Sequence, residues 1–215
     1  MKFCKDCIIK EVEELIDYIN FGEHCDYYSF KKEEIEEVKR LLDEDVKFCY
    51  ESDPAANSIE EIKLTYPGYL AICFHRLAYI LYNKGKKLEA RLISEHAHGI
   101  TGIDIHPATK MGCPVFIDHG TGVVIGETAV IGNYVILYQG VTLGALSPDK
   151  GQAIKGSKRH PTIGNHVVIY ANASIIGDIT IGDNVTIGGN LFITEDVAPN
   201  QRVVMSKPQF IYKNN

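Results

Sequence analysis

Apolar side chains return every six positions through the C-terminal half of the chain. Ile163, Ile169, Ile175, Ile181, Ile187 and Ile193 keep that register without a miss, and Val167, Ala173, Ile179, Val185, Leu191 and Val197 follow them four residues later. Gly, Asn and Asp fill many of the places between, as in Gly182-Asp183-Asn184 and Gly188-Gly189-Asn190. This period belongs to neither a helix nor an ordinary strand. It predicts a solenoid of short parallel strands whose corners favour Gly or Asn in a left-handed backbone conformation. A β-sandwich is the competing arrangement, but its strands recur at roughly 8–12 residues.

The register continues upstream in two pieces. Ile125, Ile131, Leu137 and Leu143 form one; Ile105, Met111, Ile117 and Val123 form the other, offset by two residues. The slip falls in Asp118-His119-Gly120-Thr121-Gly122, and a longer break separates Leu143 from Ile163. Solenoids keep their rungs regular and place insertions in loops on one face, often the binding face. Chemistry is therefore sought at these two irregularities.

Before the repeat, the pattern changes to helical. Residues 10–18 and 31–47 carry apolar side chains at three and four spacing, with Ile35, Val38, Leu41, Leu42 and Val46 as the buried stripe of the second. Ser52-Asp53-Pro54 reads as a helix start, with Asp53 as cap and Pro54 at the first helical position. A long apolar helix is expected over 69–83, Gly85 interrupts it, and 86–98 resumes the helical pattern until Gly99 and Gly102. The expected fold class is α+β: a helical N-terminal domain over 1–100, then a parallel β-helix of hexapeptide repeats over 101–198 with a loop inserted at 145–162, and a tail over 199–215. With no Pro- or Ser-rich linker between them, the two halves are expected to pack directly. The helical half would cap one end of the solenoid and the tail the other.

Composition narrows the function. The chain has 215 residues, is 45% apolar and carries a net charge of −6, which argues against wholesale nucleic-acid binding. No apolar run approaches the length of a membrane span and the start is no signal peptide, so the cytoplasm is the default location. Six cysteines without a secretion signal are expected as free thiols. Cys4 and Cys7, with His24 and Cys25, have the residue types of a zinc site, but one pair without a second favours an incidental role, and no metal is expected.

Three histidines, His106, His119 and His160, stand at or beside the irregular points, with Asp104, Asp118 and Arg159. A turn of three hexapeptides takes eighteen residues, and Asp104 and His119 are fifteen apart, which makes them candidate vertical neighbours. Such a pair would orient an imidazole and stabilise its protonated form, as a general base requires. Taken singly, each residue reads as solvated surface. Their joint placement at the breaks of a regular repeat favours function, because sites concentrate where loops leave a rigid scaffold.

Asp104-Ile105-His106-Pro107, the run Asp118 to Ala129 with its His-Gly-Thr-Gly and Gly-Glu-Thr-Ala blocks, Val141-Thr142-Leu143-Gly144 and Arg159-His160-Pro161 resemble serine O-acetyltransferase. Asp53-Pro54-Ala55 and Phe74-His75-Arg76-Leu77-Ala78-Tyr79 resemble that family's N-terminal domain, and the likeness covers roughly residues 50–204. The resemblance implies a left-handed β-helix that moves acetyl from acetyl-CoA to the L-serine hydroxyl for cysteine biosynthesis. It implies acetyl-CoA as co-substrate with no tightly bound cofactor, L-cysteine as feedback inhibitor, and a homotrimer or dimer of trimers. By position, His119 would be the general base and Asp104 would orient it. Asp53 and Asp118 would hold the substrate ammonium, and Arg159 and His160 its carboxylate, with His160 also near the reacting oxygen. Gly144, Ala145 and Ala171 would contact the pantetheine arm. These residue types suit a zwitterion, which needs both signs of charge and a forked donor for its carboxylate.

Two features depart from the family pattern. The insertion 145–158 is longer and more basic, with Lys150, Lys155 and Lys158, and reads either as a contact for CoA phosphates or as a solvated loop. The tail ends Ile211-Tyr212-Lys213-Asn214-Asn215, without the terminal Ile that the family presents to its sulfhydrylase partner, so that complex is not expected. The competing functions are a γ-type carbonic anhydrase with zinc on three histidines, an acetyltransferase for a sugar or antibiotic hydroxyl, and a silent scaffold.

Overall fold

The computed structural model describes residues 5–20, 30–146 and 148–206. Among these residues five helices come first: α1 (Lys5–Asn20), α2 (Lys32–Ser52), α3 (Ile59–Thr65), α4 (Pro67–Asn83) and α5 (Lys87–Thr101). The apolar stripe of α2 buries Val38, Leu42 and Val46 as its spacing predicts. Helix α4 buries most of its residues and packs most extensively against α5. Its Gly68 lies against the solenoid so closely that a Cβ there would stand 1.9 Å from the Ile117 carbonyl oxygen. Gly102, in the left-handed conformation at φ 71°, ends α5 and turns the chain into the first rung. None of the described helices is long and apolar enough to cross a membrane.

One helix start is misplaced in the sequence reading. Asp53 closes α2 instead of opening a new helix, and the chain runs through a turn at Pro54-Ala55 before Ser58 caps α3 by accepting the Glu61 N–H at 3.1 Å. The Asp53 carboxylate accepts the Ala55 N–H at 2.8 Å, the local turn that Asp forms as readily as a helix cap.

Among the described residues, the rest is a solenoid of fourteen two- or three-residue strands. In chain order they are β1 (Asp104–Ile105), β2 (Lys110–Met111), β3 (Val115–Ile117), β4 (Val124–Ile125), β5 (Val130–Ile131), β6 (Val135–Leu137) and β7 (Thr142–Gly144). After 3-10 turns over Pro148–Ile154 come β8 (Thr162–Ile163), β9 (Val168–Ile169), β10 (Ser174–Ile176), β11 (Thr180–Ile181), β12 (Thr186–Ile187), β13 (Phe192–Ile193) and β14 (Arg202–Val203). They form three parallel sheets in the orders β1-β4-β7-β10-β13, β2-β5-β8-β11 and β3-β6-β9-β12-β14. We call these faces A, B and C.

The six-residue register becomes three internal columns. Ile105, Ile125, Leu143, Ile175 and Ile193 stack in face A; Met111, Ile131, Ile163 and Ile181 in face B; Ile117, Leu137, Ile169, Ile187 and Val203 in face C. Most of these side chains are fully buried, each stabilising the fold by about 1.5–3 kcal/mol relative to exposure. At the corners, Tyr134, His166, Asn172, Asn184, Asn190 and Asn200 all adopt positive φ, the left-handed turn that the Asn-rich spacing predicts. Pairing of β14 beneath β12 carries the coil past Ala198 into the tail.

Register fixes both irregularities. Successive partners are eighteen residues apart from Val124 to Thr142 and from Ser174 to Phe192, but twenty from Asp104 to Val124 and thirty-two from Thr142 to Ser174. The first turn thus carries two extra residues and the third carries fourteen. The slip therefore breaks the expected vertical pairing: Asp104 stands over Val124, not over His119.

A buried ion pair joins the helices to the first rung. Asp45 of α2 accepts from Arg76 Nε at 2.7 Å and Nη2 at 2.8 Å, and from the Val115 N–H at 2.9 Å. Arg76 also donates to the Gly112 carbonyl at 3.1 Å. These bonds satisfy backbone groups that a solenoid leaves open at its end.

Candidate active site

The corner between faces C and A holds the first cluster. Two extra residues expand it into the loop 118–122, with His119 at φ 58°, Gly120 at φ 85° and Gly122 at φ 77°. The loop is pinned by Gly122 N–H to Gly102 O at 2.8 Å and Gly120 N–H to Asp118 O at 2.6 Å. His119 projects into solvent with its side chain 72% exposed, Nε2 standing 3.8 Å from Asp118 Oδ1. An imidazole presented this way on a rigid turn is accessible to a substrate hydroxyl.

Asp53, from the end of α2, faces the same corner. Burial raises the Asp118 carboxyl above its ordinary range; His119 opposes that shift and Asp53 adds to it. Two neighbouring carboxylates, one of them desolvated, make a site that a cation stabilises. The Asp53 Oδ2 accepts from the Tyr66 hydroxyl at 2.6 Å. Cys49 lies beneath, its thiol pushed up to about 12 by burial, with Asp53 and Asp118 adding to the shift.

The second cluster occupies the corner between faces A and B, where the fourteen-residue insertion rejoins the coil. Thr128 organises it. Its hydroxyl oxygen accepts the N–H groups of Arg159 at 3.0 Å and His160 at 3.1 Å. The Thr128 N–H donates to His160 Nδ1 at 3.2 Å, and the Thr128 hydroxyl lies 2.9 Å from the same nitrogen. With both groups donating to Nδ1, the neutral ring carries its hydrogen on Nε2. Burial, then Arg159 and Lys158, push the His160 pKa down to about 4, which keeps the ring neutral. Its Nε2–H is a donor for an anion or a polarised oxygen.

Gly126 makes room for that ring: a Cβ there would lie 2.0 Å from His160 Cδ2. Arg159 is ion-paired through Nη2 with Glu127, and this bond holds the Glu127 carboxyl below its ordinary range. Lys158 donates to the His160 carbonyl, and burial lowers its pKa. His106 is half-buried nearby, its pKa lowered by burial and its Nδ1 accepting from the Ala108 N–H at 3.1 Å. A cavity of about 330 Å³ opens beside Arg159, lined also by Glu127, Ala145, Gln152, Ile154 and Lys155. Another of about 410 Å³, between α2, α4 and β2, contains none of the sequence-predicted site residues.

The expected residues thus divide between two corners. Asp53, Asp118, His119 and Ala171 belong to the corner between C and A; Gly144, Ala145, Arg159 and His160 belong to the corner between A and B. Asp104 lies on face A, where its carboxylate, His98 and Glu95 have ligand atoms within 4.8 Å of one another. Among the described residues no hydrogen bond or ion pair joins Asp104 to His119. Cys4, His24 and Cys25 lie outside the described residues, as does the tail from 207 onward. Thr128, Glu127 and Tyr66 were given no role from sequence. The first two sit inside the Gly-Glu-Thr-Ala block, but only the fold shows what they bind.

Residues 160–195 match the family model described as bacterial transferase hexapeptide (six repeats). A serine acetyltransferase of Staphylococcus aureus is 46% identical over 178 residues, 83% of this chain and 80% of that protein. The chain belongs to the serine acetyltransferase family. A plasmid serine acetyltransferase of Synechococcus elongatus is 55% identical over 164 residues; the match takes in 75% of this chain but spans only 51% of that relative. Among solved structures, serine acetyltransferase isoform 3 of Entamoeba histolytica, in complex with cysteine, superposes with TM-score 0.79 at 39% identity, covering 97% of this chain and 74% of that one. The Neisseria gonorrhoeae serine acetyltransferase in complex with serine gives TM-score 0.76 at 34% identity over 94% of this chain and 82% of its own. A helical region followed by a left-handed parallel β-helix is thus the architecture of this family.

Proposed function

We propose that this chain transfers acetyl from acetyl-CoA to the hydroxyl of L-serine, in a site assembled from opposite corners of two adjacent solenoids. The observation that carries it is the division of charge: paired carboxylates beside an accessible imidazole at one corner, a guanidinium beside a neutral imidazole at the other. His119 and Gly126 are seven residues apart, and extended chain advances about 3.3 Å per residue, so the corners stand up to roughly 20 Å apart. The ammonium and carboxylate of serine are attached to one carbon. In this reading one chain supplies one half of the contacts, and a neighbour in a cyclic trimer supplies the other.

In this reading Asp53 and Asp118 take the ammonium, while Arg159 and the His160 Nε2–H of the neighbouring copy take the carboxylate. His119 removes the hydroxyl proton as the serine oxygen attacks the thioester carbon. The C–S bond then breaks, and the proton passes to the departing CoA thiolate. In the same reading Gly144 and Ala145 of one copy and Ala171 of the other contact the pantetheine arm. L-Cysteine keeps both charged groups of serine and replaces the hydroxyl with a thiol, so it occupies the same contacts and inhibits competitively.

Thiol release from acetyl-CoA, followed with L-serine, L-homoserine and a galactoside, tests the assignment. Turnover is expected with serine and competition with L-cysteine; preference for the galactoside would overturn it.

A further inference from the structure

Both oxygens of the Asp53 carboxylate are occupied, one by its own turn and the other by a side chain from a different element. Oδ1 accepts the Ala55 N–H at 2.8 Å, and Oδ2 accepts the Tyr66 hydroxyl at 2.6 Å. The turn fixes the backbone around Asp53, and the phenol bond selects the direction in which the carboxylate points. Tyr66 can do this because its own backbone is held from two sides. Its N–H donates to Ile62 O at 3.0 Å to close α3, and its carbonyl accepts the Leu70 N–H at 3.1 Å to open α4. Pro67 follows at the first helical position, and Gly68 is pressed on the Ile117 carbonyl. Ile117 directly precedes Asp118 and His119. The origin of the phenol is thus locked to the strand that delivers the catalytic corner.

We propose that Tyr66 is a positioning residue for recognition of the substrate ammonium, holding Asp53 so that it and Asp118 take the cation between them. The inference rests on the serine-acetyltransferase reading and adds to it a residue that acts through Asp53. The hydroxyl proton stays on Tyr66, because the bond to Asp53 raises the phenol pKa, so the contact donates throughout the working pH range. An Asp53 held by the Ala55 N–H alone would still carry its charge but would lose the second anchor that orients it to share one ammonium with Asp118.

The test is a double-substitution cycle on the full chain, with Tyr66→Phe, Asp53→Asn and the pair, reading kcat, KM for serine and for acetyl-CoA, and L-cysteine affinity by calorimetry. Tyr66→Phe keeps the ring and its packing. It is expected to raise the serine KM and weaken cysteine by about 10-fold each, the usual worth of a hydrogen bond to a charged group. The values of kcat and the acetyl-CoA KM should stay within about 2-fold. With Asn at position 53 the same substitution should cost less than about 2-fold more, because the oriented charge is already gone. Additive losses in the pair, or an equal rise in the acetyl-CoA KM, would overturn the proposal and leave Tyr66 a general support of the fold. Absence of serine turnover in the unsubstituted chain would sink the functional reading itself, an outcome distinct from turnover with additive losses.

Discussion

Thr128 and His160, thirty-two positions apart, are bonded three times over: the Thr128 hydroxyl and N–H address the Nδ1 of His160 at 2.9 and 3.2 Å, and the hydroxyl oxygen accepts the His160 N–H at 3.1 Å. The same oxygen also takes the Arg159 N–H. A single hydroxyl thus sets the backbone and the tautomer of the residues that close the insertion. Thr128→Val, which removes only that hydroxyl, should lower kcat/KM for serine by about 10- to 100-fold through misplaced anion contacts, since two N–H groups and a ring nitrogen lose a partner. Steady-state kinetics with both substrates checks this, and an unchanged acetyl-CoA KM is expected.

Acid should weaken the fold through its buried imidazoles. Burial holds His160 neutral with a pKa of about 4, and burial with Arg76 holds His75 neutral at about 3. An unfolded histidine titrates near 6.5, so below that pH the unfolded chain binds protons that the folded chain does not. Stability therefore rises with pH up to about 6.5 and falls as pH drops from there toward 4. Urea unfolding at pH 7, 6, 5 and 4.5 should give progressively lower midpoints. His160→Asn should reduce the slope; a flat profile would contradict the buried neutral state.

The Asp45–Arg76 pair should be the most sensitive polar contact between helices and solenoid. Both side chains are at least 95% buried, and Asp45 also satisfies the Val115 N–H. Arg76→Ala leaves a carboxylate buried without its cation and should destabilise the chain by about 3–5 kcal/mol. Replacing both residues with apolar ones of similar size should cost less than the single substitution. Chemical unfolding of the three variants makes the comparison.

The solenoid was legible in the sequence because its signal is geometric. One inward position per hexapeptide must be apolar, and the eighteen-residue steps Ile125-Leu143 in face A and Ile169-Ile187 in face C follow from counting alone. Both breaks were legible for the same reason. The consequence of the first break was not. Two extra residues lengthen the turn to twenty, so a separation of fifteen between Asp104 and His119 no longer means adjacency. Asp53-Pro54 misled because Asp caps a helix start and a turn with the same carboxylate-to-N–H bond, and only the rest of α2 decides between them. Thr128 and Tyr66 left no periodic trace, since their partners are 32 and 13 residues away.

His119 carries the chemistry in this reading, and its substitution should separate catalysis from binding. His119→Ala should lower kcat by roughly 10²–10⁴, the usual worth of a general base, with little change in L-cysteine affinity. Turnover near the unsubstituted rate at neutral pH would remove His119 from the role. Calorimetry with L-cysteine on the same variant shows whether the charged contacts survive.

The division of the site between two chains is tested most directly by mixing two inactive proteins. Chains carrying His119→Ala lack the base corner, and chains carrying Arg159→Ala lack the anion corner. Each alone should be nearly inactive. Co-expressed and assembled at random, they form interfaces of which about a quarter pair an intact base corner with an intact anion corner, so activity should recover to about a quarter of the unsubstituted level. Mixed assemblies, confirmed by mass spectrometry, that stay as inactive as their parents would show that both corners must come from one chain.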